Sequence, residues 1–445
     1  MRIITDWHLH SRFSRACSKD LTLENNALWC AKKGVDVLGT ADFTHPAWFS
    51  EIQSKLEEAE PGLYKLRIPL TSPLGKGGDS TGTSPNPSLE RRGVSEIRFM
   101  MTTEVAQIYK KDGKVRRIHN IIMAPSIEAV GKINKWLTEQ GFNLKADGRP
   151  ILGIDSELLY RQLKDINERI IVIPAHAWTP WFSVFGSKSG FDSIEECFGE
   201  MTPYIYAIET GLSSDPLMNR QLSALDNVML ISNSDAHSPR NFGREANVFE
   251  MDRSELSYDE FVRILRERDT SKFAYTIEFY PEEGKYHTDG HSNCNFWCAP
   301  EVTKKHGGRC PKCGKLITVG VLSRVQDLAD RDAHEMPSGH VPYKSIVPLQ
   351  ELIAESFGVK STSSKRVQAM YEKMIAQIGN EFSILLDESI EHIGDRSTPA
   401  VAEAVRRMRA GELNIRPGFD GIFGEVHIYS EDDPPPVAAQ EKLVK

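Results

Sequence analysis

Along the first 280 residues, short apolar runs alternate with stretches in which apolar positions recur every three or four residues. The runs are "VDVLGTADF" (35–43), "EIRFMMTTEV" (96–105), "IHNIIMAP" (118–125), "RIIVIPAHA" (169–177), "YIYAIET" (204–210) and "NVMLISNSDAH" (227–237). Near-continuous apolarity over so few residues predicts strands buried on both faces. Between them, "TLENNALWCAKKG" (22–34), "IEAVGKINKWLTEQG" (127–141) and "SELLYRQLKDI" (156–166) carry helical spacing. The alternation predicts βα units around a parallel sheet. From 324 to about 412 the pattern turns helical throughout. "VPLQELIAESFG", "SSKRVQAMYEKMIAQIG", "EFSILLDESIEHIG" and "TPAVAEAVRRMRAG" each end on Gly, a usual residue just past a helix C-terminus.

Two stretches carry no apolar period. "TSPLGKGGDSTGTSPNPSLERRGVS" (71–95) reads as a flexible surface insertion. It neither follows a strand nor opens a helix, which argues against a phosphate-binding loop. Residues 431–445 read as a disordered tail. The expected organisation is therefore a βα region over 1–280, a cysteine-rich module over 281–323 and a helical domain over 324–430.

Composition adds little until the cysteines are placed. The chain has 445 residues, 40% hydrophobic and 26% charged, with a formal net charge of −8. That balance excludes a histone-like polycation, while leaving room for local basic grooves. No apolar run reaches the roughly 18 residues of a membrane span, and no signal-peptide pattern precedes "MRIITDWHLH", so the expected setting is the cytoplasm, away from membranes. Cys17, Cys30 and Cys197 are scattered, whereas Cys294, Cys298, Cys310 and Cys313 fall within twenty residues. In a reducing compartment such a cluster reads as a metal site. The spacing C-x3-C, eleven residues, C-x2-C predicts a closed structural zinc site on these four thiolates. His287 and His291 lie close enough to replace one of them and are read as loop residues.

Chemistry concentrates at the strand ends. In "DWHLHS", His8 and His10 sit two residues apart and project side by side from an extended segment. Nearly every other strand candidate also carries ligand-type residues, most of them near its end: Asp42 and His45, Glu104, His119, His176, Glu209, Asp235 and His237. In a β/α barrel such ends converge on one mouth. Histidine and carboxylate donors suit a borderline divalent cation, and a carboxylate shared by two cations is a recurring hydrolytic arrangement. No Ser-His-Asp or Cys-His nucleophile motif competes. Basic runs at 110–117, 263–269 and 406–409 fit a polyanionic substrate.

In order, "DWHLHS", "GTADFTHP", "TTEV", "RRIHN", "IPAHAW" and "NSDAHSP" resemble the metal motifs of the PHP (polymerase and histidinol phosphatase) superfamily over residues 1 to about 280. The resemblance implies an α/β fold: a distorted (β/α)7 PHP barrel followed by the four-cysteine zinc-binding module and the C-terminal helical domain. It implies two or three divalent ions (Zn, Mn, Mg or Fe) besides one structural zinc. The first ion falls to His8, His10, Glu104 and Asp235; Glu104 bridges to a second held by His119 and His176; His237 serves a third. Many relatives have Asp-His where this chain has Asp42-Phe43, so His45 is the expected replacement ligand, with Asp42 orienting it. Asp235, His237 and Glu104 are the expected catalytic residues.

Over the whole chain, "PAHAWTPWFSVFGSKSGF", "ETGLSSDP", "GKLITVGVLSRVQDLADR" and "IRPGFDGIFG" are similar to a branch of DNA repair endonucleases from archaea and some bacteria. That resemblance implies nicking of double- or single-stranded DNA on the 5′ side of deaminated bases (uracil, hypoxanthine, xanthine) and abasic sites, with a sliding clamp as a possible partner. An enzyme that inspects a base must extrude it. Trp178, Trp181, Phe182 and Phe185, just after His176, are the expected base pocket. The alternatives are another PHP phosphoesterase, either an exonuclease or a small-molecule phosphatase, or a non-catalytic DNA-binding adaptor.

Overall fold

The computed structural model describes residues 1–67, 93–332, 336–430 and 432–435. Residues 71–92 of the expected insertion and most of the expected tail lie outside the described residues. Seven strands build the barrel: β1 (Arg2–Asp6), β2 (Val37–Gly39), β3 (Arg98–Lys111), β4 (Lys114–Ala124), β5 (Ile171–Pro174), β6 (Ala207–Glu209) and β7 (Met229–Ile231). β1, β2 and β3 run parallel, as do β6 and β7. Ala177 N–H donates to the Glu209 carbonyl at 2.9 Å, linking β5 to β6. Beyond β7 the chain reaches β1, where Leu9 bridges Ala236 and His10 N–H donates to the Ala236 carbonyl at 3.0 Å. The ring closes at that point, beside "DWHLHS".

The sheet is not parallel throughout, as the alternation had predicted. β3 and β4 form a long antiparallel hairpin, and β5 pairs antiparallel with β4. The cause is local. Asp112 (φ 52°) and Gly113 (φ 73°) make a two-residue turn with both residues left-handed, which reverses the chain where a parallel crossover needs a dozen residues or more.

Alternation along the strands divides two apolar layers. Met100, Ile121, Ile173, Ala207 and Ile231 lie in one buried cluster; Phe99, Ile122, Val172, Ile208 and Leu230 lie in another, with helix residues such as Val130 and Leu159. The three helices the periodicity predicts in this region form, and Pro46–Lys55 and Tyr258–Glu267 are added to them. Leu23–Lys33 is capped by Thr22, whose side chain accepts from Asn25 N–H, and stops at left-handed Gly34. Ser156–Ile166 turns Leu159, Tyr160 and Leu163 inward.

The C-terminal helices Leu349–Ser356, Lys365–Gln377, Ile390–Arg396 and Pro399–Ala410 share the second cluster with the barrel. "EFSILLDESIEHIG", expected as one helix, is instead a π-turn over Ser383–Asp387 followed by Ile390–Arg396. Ser389 accepts from His392 N–H and so starts a new helix mid-segment. A strand at Tyr343–Ser345 extends the sheet through Phe273–Glu278 and Ala246–Glu250 to β1. Lys33 and Glu381, both nearly buried, pair at 2.7 Å between barrel and helices.

Candidate metal centre

The strand ends deliver their polar residues to one mouth. His8 and His10 follow β1, Glu104 lies on β3, His119 on β4, His176 follows β5 and Asp235 follows β7. Three residues here, Asp42 (φ 41°), His176 (φ 29°) and Asp235 (φ 45°), have left-handed backbones. Such conformations cost about 1–3 kcal/mol each in non-glycine residues and cluster at functional sites. Gly211 makes room for one of them, since a Cβ at that position would lie 2.5 Å from the His176 Cβ.

Two ligand groups form, and Glu104 belongs to both. His8, His10, Glu104 and Asp235 bring their donor atoms within 4.8 Å of one another, as do Glu104, His119 and His176. Glu104 Oε2 lies 3.3 Å from His10 Nε2 and 3.5 Å from His8 Nε2, while Asp235 Oδ1 lies 3.1 Å from His10 Nε2. Glu104 Oε1 faces the other way, 2.5 Å from His119 Nδ1 and 3.1 Å from His176 Nε2. One carboxylate therefore presents one oxygen to each group.

Buried carboxylates fix the imidazoles from behind. His8 Nδ1 donates to Glu209 at 2.9 Å, and Glu209 also accepts from the His176 N–H at 2.7 Å and from Asn233 Nδ2 at 2.9 Å. His10 Nδ1 lies 3.3 Å from Asp42 Oδ1, while Asp42 Oδ2 accepts from Ser11 N–H, Ser11 Oγ and Ser14 Oγ. With Nδ1 so engaged, Nε2 of each ring carries its lone pair into the site. His8 Nε2 is buried and has no hydrogen-bond partner among the described residues. An orphaned buried donor atom among carboxylates and imidazoles is what a cation site leaves, so the residues fit divalent ions.

Without cations the surrounding carboxylates hold two of the imidazoles in the protonated form, and a bound cation would displace those protons. Burial alone would lower the His8 pKa, but Glu209 and Glu104 more than offset it and hold the ring well above its ordinary value. His10 is raised likewise: burial opposes, while Asp235, Asp42 and Glu104 outweigh it. Burial would raise Glu104, yet His119, Arg149 and His8 keep it well below the usual carboxylate range. His119 goes the other way, lowered by burial to about 4, which leaves it neutral and able to coordinate at pH 7.

Several expected residues fall elsewhere. His45 joins neither group: its ring stacks on Phe13 at 4.4 Å and its Nδ1 is buried without a hydrogen-bond partner among the described residues. It occupies the N-cap position of the helix Pro46–Lys55 without a side-chain capping hydrogen bond. His237 stands at the rim outside both groups, 4.6 Å from the His10 ring, with Nδ1 2.9 Å from the Asp235 carbonyl oxygen.

Trp178 and Phe185 are core residues and do not line the cavity at Trp181. They are fully buried, lie 4.7 Å apart, and Trp178 Nε1 donates to Asn219 at 2.7 Å. Trp181 is 40% exposed and lies on a cavity of about 660 Å3 shared with Phe279, Tyr286, Phe423, Arg244 and Lys285. Phe182 lies against His119 at 4.6 Å. Thr179 links this cavity to the metal centre, with Oγ1 3.2 Å from His176 Nδ1, and Arg244 Nε donates to the Ser234 carbonyl at 2.9 Å.

In the cysteine module the fourth position of the cluster is His291, not Cys298. His291, Cys294, Cys310 and Cys313 converge, with His291 Nδ1 3.6 Å from Cys313 Sγ. The hairpin register explains the exchange. His291 sits at the turn end of the ladder opposite Phe296, beside Cys294, whereas Cys298 pairs at the far end with Asp289 and contacts Thr303 Oγ1 at 3.2 Å.

The expected site lacked two residues. Glu209 was visible as a strand-end acid but had no assigned role. Arg149, whose Nη1 donates to Glu104 Oε2 at 2.9 Å, follows the unremarked string "ADG" and gave no signal.

The barrel is of the PHP type, and its strand-end histidines share one carboxylate between two groups that could each hold a divalent ion. The model of the MJ0043 C-terminal domain family matches residues 348–412. Protein MJ0043 of Methanocaldococcus jannaschii is 36% identical over 253 residues, 56% of this chain but 31% of that protein, so the match spans about a third of that relative. YqxK of Bacillus subtilis is 26% identical over 439 residues, covering 96% of this chain and 99% of that protein. Among solved structures, the lesion-specific endonuclease of Pyrococcus furiosus superposes with a TM-score of 0.80 at 27% identity, over 97% of this chain and 96% of that one. An endonuclease Q complexed with a 27-mer duplex bearing an abasic lesion at the active site gives 0.79 at 28% identity, over 99% of this chain and 100% of that one. Over nearly its full length the chain is therefore similar to endonuclease Q structures.

Proposed function

We propose that this protein is a metal-dependent DNA endonuclease that hydrolyses the phosphodiester bond on the 5′ side of deaminated bases (uracil, hypoxanthine, xanthine) and of abasic sites. One observation carries the reading: the two oxygens of buried Glu104 serve two separate histidine groups. Two divalent cations held there supply Lewis-acid charge to a phosphodiester and lower the pKa of water. His8, His10 and Asp235 with Glu104, and His119 and His176 with Glu104, are the residues that hold them. Zn2+, Mn2+ and Fe2+ all suit this donor set. The chain's own contribution is rigid placement, with Glu209 and Asp42 locking the imidazoles and buried walls excluding bulk water. A structural zinc on His291, Cys294, Cys310 and Cys313 shapes the appended module.

Lesion inspection falls to the cavity beside the metals. Trp181 and Tyr286 meet edge to face at 5.6 Å, and Lys285 Nζ lies 5.7 Å from both the Tyr286 and Phe423 rings. Aromatic walls with cationic groups suit an extruded base and its flanking phosphates. The related complex with an abasic lesion at its active site supports DNA as the substrate. The cavity also draws on residues 279–286 and 423–424, well outside the metal motifs, as a large substrate requires.

The test incubates purified protein with end-labelled duplexes carrying one uracil, one hypoxanthine, one abasic site or no lesion, with and without chelator. A single chelator-sensitive nick 5′ of the lesion is expected. Release of free phosphate or mononucleotides points to another PHP phosphoesterase. Duplex binding without any nick, whatever divalent ion is supplied, points to an adaptor.

A further inference from the structure

Arg149 occupies a position for which neither folding nor metal binding gives a sufficient reason. Its segment is fastened on all sides: Gly148 N–H donates to the Phe13 carbonyl at 3.1 Å, Thr44 Oγ1 donates to the Gly148 carbonyl at 3.2 Å, and Ala106 N–H donates to the Pro150 carbonyl at 3.0 Å. Asp147 Oδ1 accepts from Arg149 N–H at 3.2 Å. Gly148 is pressed so closely on the Asp42 carboxylate that a Cβ there would lie 2.2 Å from Asp42 Oδ2 and 2.4 Å from Ser14 Oγ. The backbone is thus held against the wall of the metal mouth, and the guanidinium is carried inward.

There it makes one side-chain hydrogen bond among the described residues, Nη1 to Glu104 Oε2 at 2.9 Å, and about a third of the side chain stays open to solvent at 32%. Arg149 helps to hold Glu104 ionised, but it is not that carboxylate's sole partner. Four imidazoles already surround that carboxylate, and two cations on it would neutralise it again. A guanidinium has five N–H donors in a planar fork that matches phosphate oxygens. Most of that fork is unused. Meanwhile His45, the expected ligand of a third cation, is stacked on Phe13, and Asp42 is saturated by Ser11, Ser14 and His10. The fixed positive charge on that side of the mouth is Arg149.

We propose that Arg149 is a catalytic residue that donates to a non-bridging oxygen of the scissile phosphate and carries charge developing there. The proposal rests on the phosphodiesterase reading above. It requires no movement of the segment, only that Nε and Nη2 meet a phosphate lying over Glu104.

The test uses full-length protein and its Arg149→Met and Arg149→Lys variants, with thermal unfolding and metal content measured alongside. Single-turnover nicking of a lesion duplex should fall about 100- to 1000-fold in Arg149→Met, the usual loss when one fixed donor to a developing charge is removed. Arg149→Lys should recover part of that loss, and metal content should match wild type. An independent readout is binding, by fluorescence anisotropy in chelator, of a lesion duplex whose scissile linkage is a neutral methylphosphonate. Wild type should bind it several-fold more weakly than the ordinary duplex; Arg149→Met should bind the two alike.

A full nicking rate in Arg149→Met, a methylphosphonate penalty that survives the substitution, or metal lost in parallel with activity each overturns the proposal. Should Arg149→Met fail to fold, Arg149→Lys and Arg149→Gln are read by the same two measurements. If wild type nicks nothing, the nuclease reading fails; if wild type nicks and the variants match it, only the role of Arg149 fails.

Discussion

At the scale of single residues, the site depends on side chains that hold other side chains. Glu209 receives His8 Nδ1 and the His176 N–H together, so one buried carboxylate orients a ligand of each group. Orienting partners of this kind typically contribute 10- to 100-fold to metal affinity. Glu209→Gln is therefore expected to weaken binding of the divalent ions by about that factor with little change in thermal stability of the chelated protein, as followed by titration with Mn2+. Trp181 acts on a different ligand. Its ring is half open on the cavity and touches no metal-site residue, and base stacking on an aromatic contributes about 1–3 kcal/mol. Trp181→Ala is expected to leave metal content unchanged and to weaken binding of a uracil duplex by roughly 5- to 150-fold, with anisotropy as the measurement. Undisturbed lesion binding in that variant would remove the cavity from the reading.

At the scale of elements, register decides which residues become partners. The antiparallel β3–β4 hairpin places Glu104 opposite Ile121, and from there its carboxylate meets His119 two positions along β4. The hairpin Asp289–His291/Phe296–Cys298 selects His291 over Cys298 in the same way. Zinc analysis should show it: Cys298→Ser retains the module's ion, whereas His291→Ala and Cys310→Ser lose it, because the first residue lies outside the converging set. Zinc lost from Cys298→Ser and kept by His291→Ala would restore the four-cysteine assignment. Caps mark the element boundaries, and Ser389 shows that a single polar residue can split what apolar spacing presents as one helix.

At the scale of the whole molecule, barrel and C-terminal helices share a core, and a buried acid lies between the barrel and the strand that joins them. Glu278 is fully buried on the strand Phe273–Glu278, where burial pushes its carboxyl up to about 8 despite hydrogen bonds from Thr276, Thr210 and Ser232. Unfolded, the same group ionises near 4.3. The folded state therefore holds the proton more tightly, and the group's stabilising contribution is complete below about pH 4.3 and is lost as pH rises through about 8. Glu278→Gln, which cannot ionise, is expected to lose less stability than wild type between pH 5 and 8. Parallel denaturant melts at the two pH values measure it; equal slopes would place the titration elsewhere.

The sequence alone determined the features that depend on local order. Apolar runs and helical spacing placed six of the seven barrel strands from pattern and most helices, and the i, i+2 pair His8 and His10 with strand-end Glu104, His119, His176 and Asp235 marked the residues of the two converging groups. What it left open was every choice that turns on which distant segments touch. Glu209 reaches His8 across 201 residues and Arg149 reaches Glu104 across 45, distances at which no spacing rule operates. Trp178 and Trp181 stand three residues apart with similar chemistry, yet closure of the barrel buries one and leaves the other on a cavity. Periodicity records which face a residue takes relative to its own backbone, whereas the neighbours on that face are set by the packing of the whole chain.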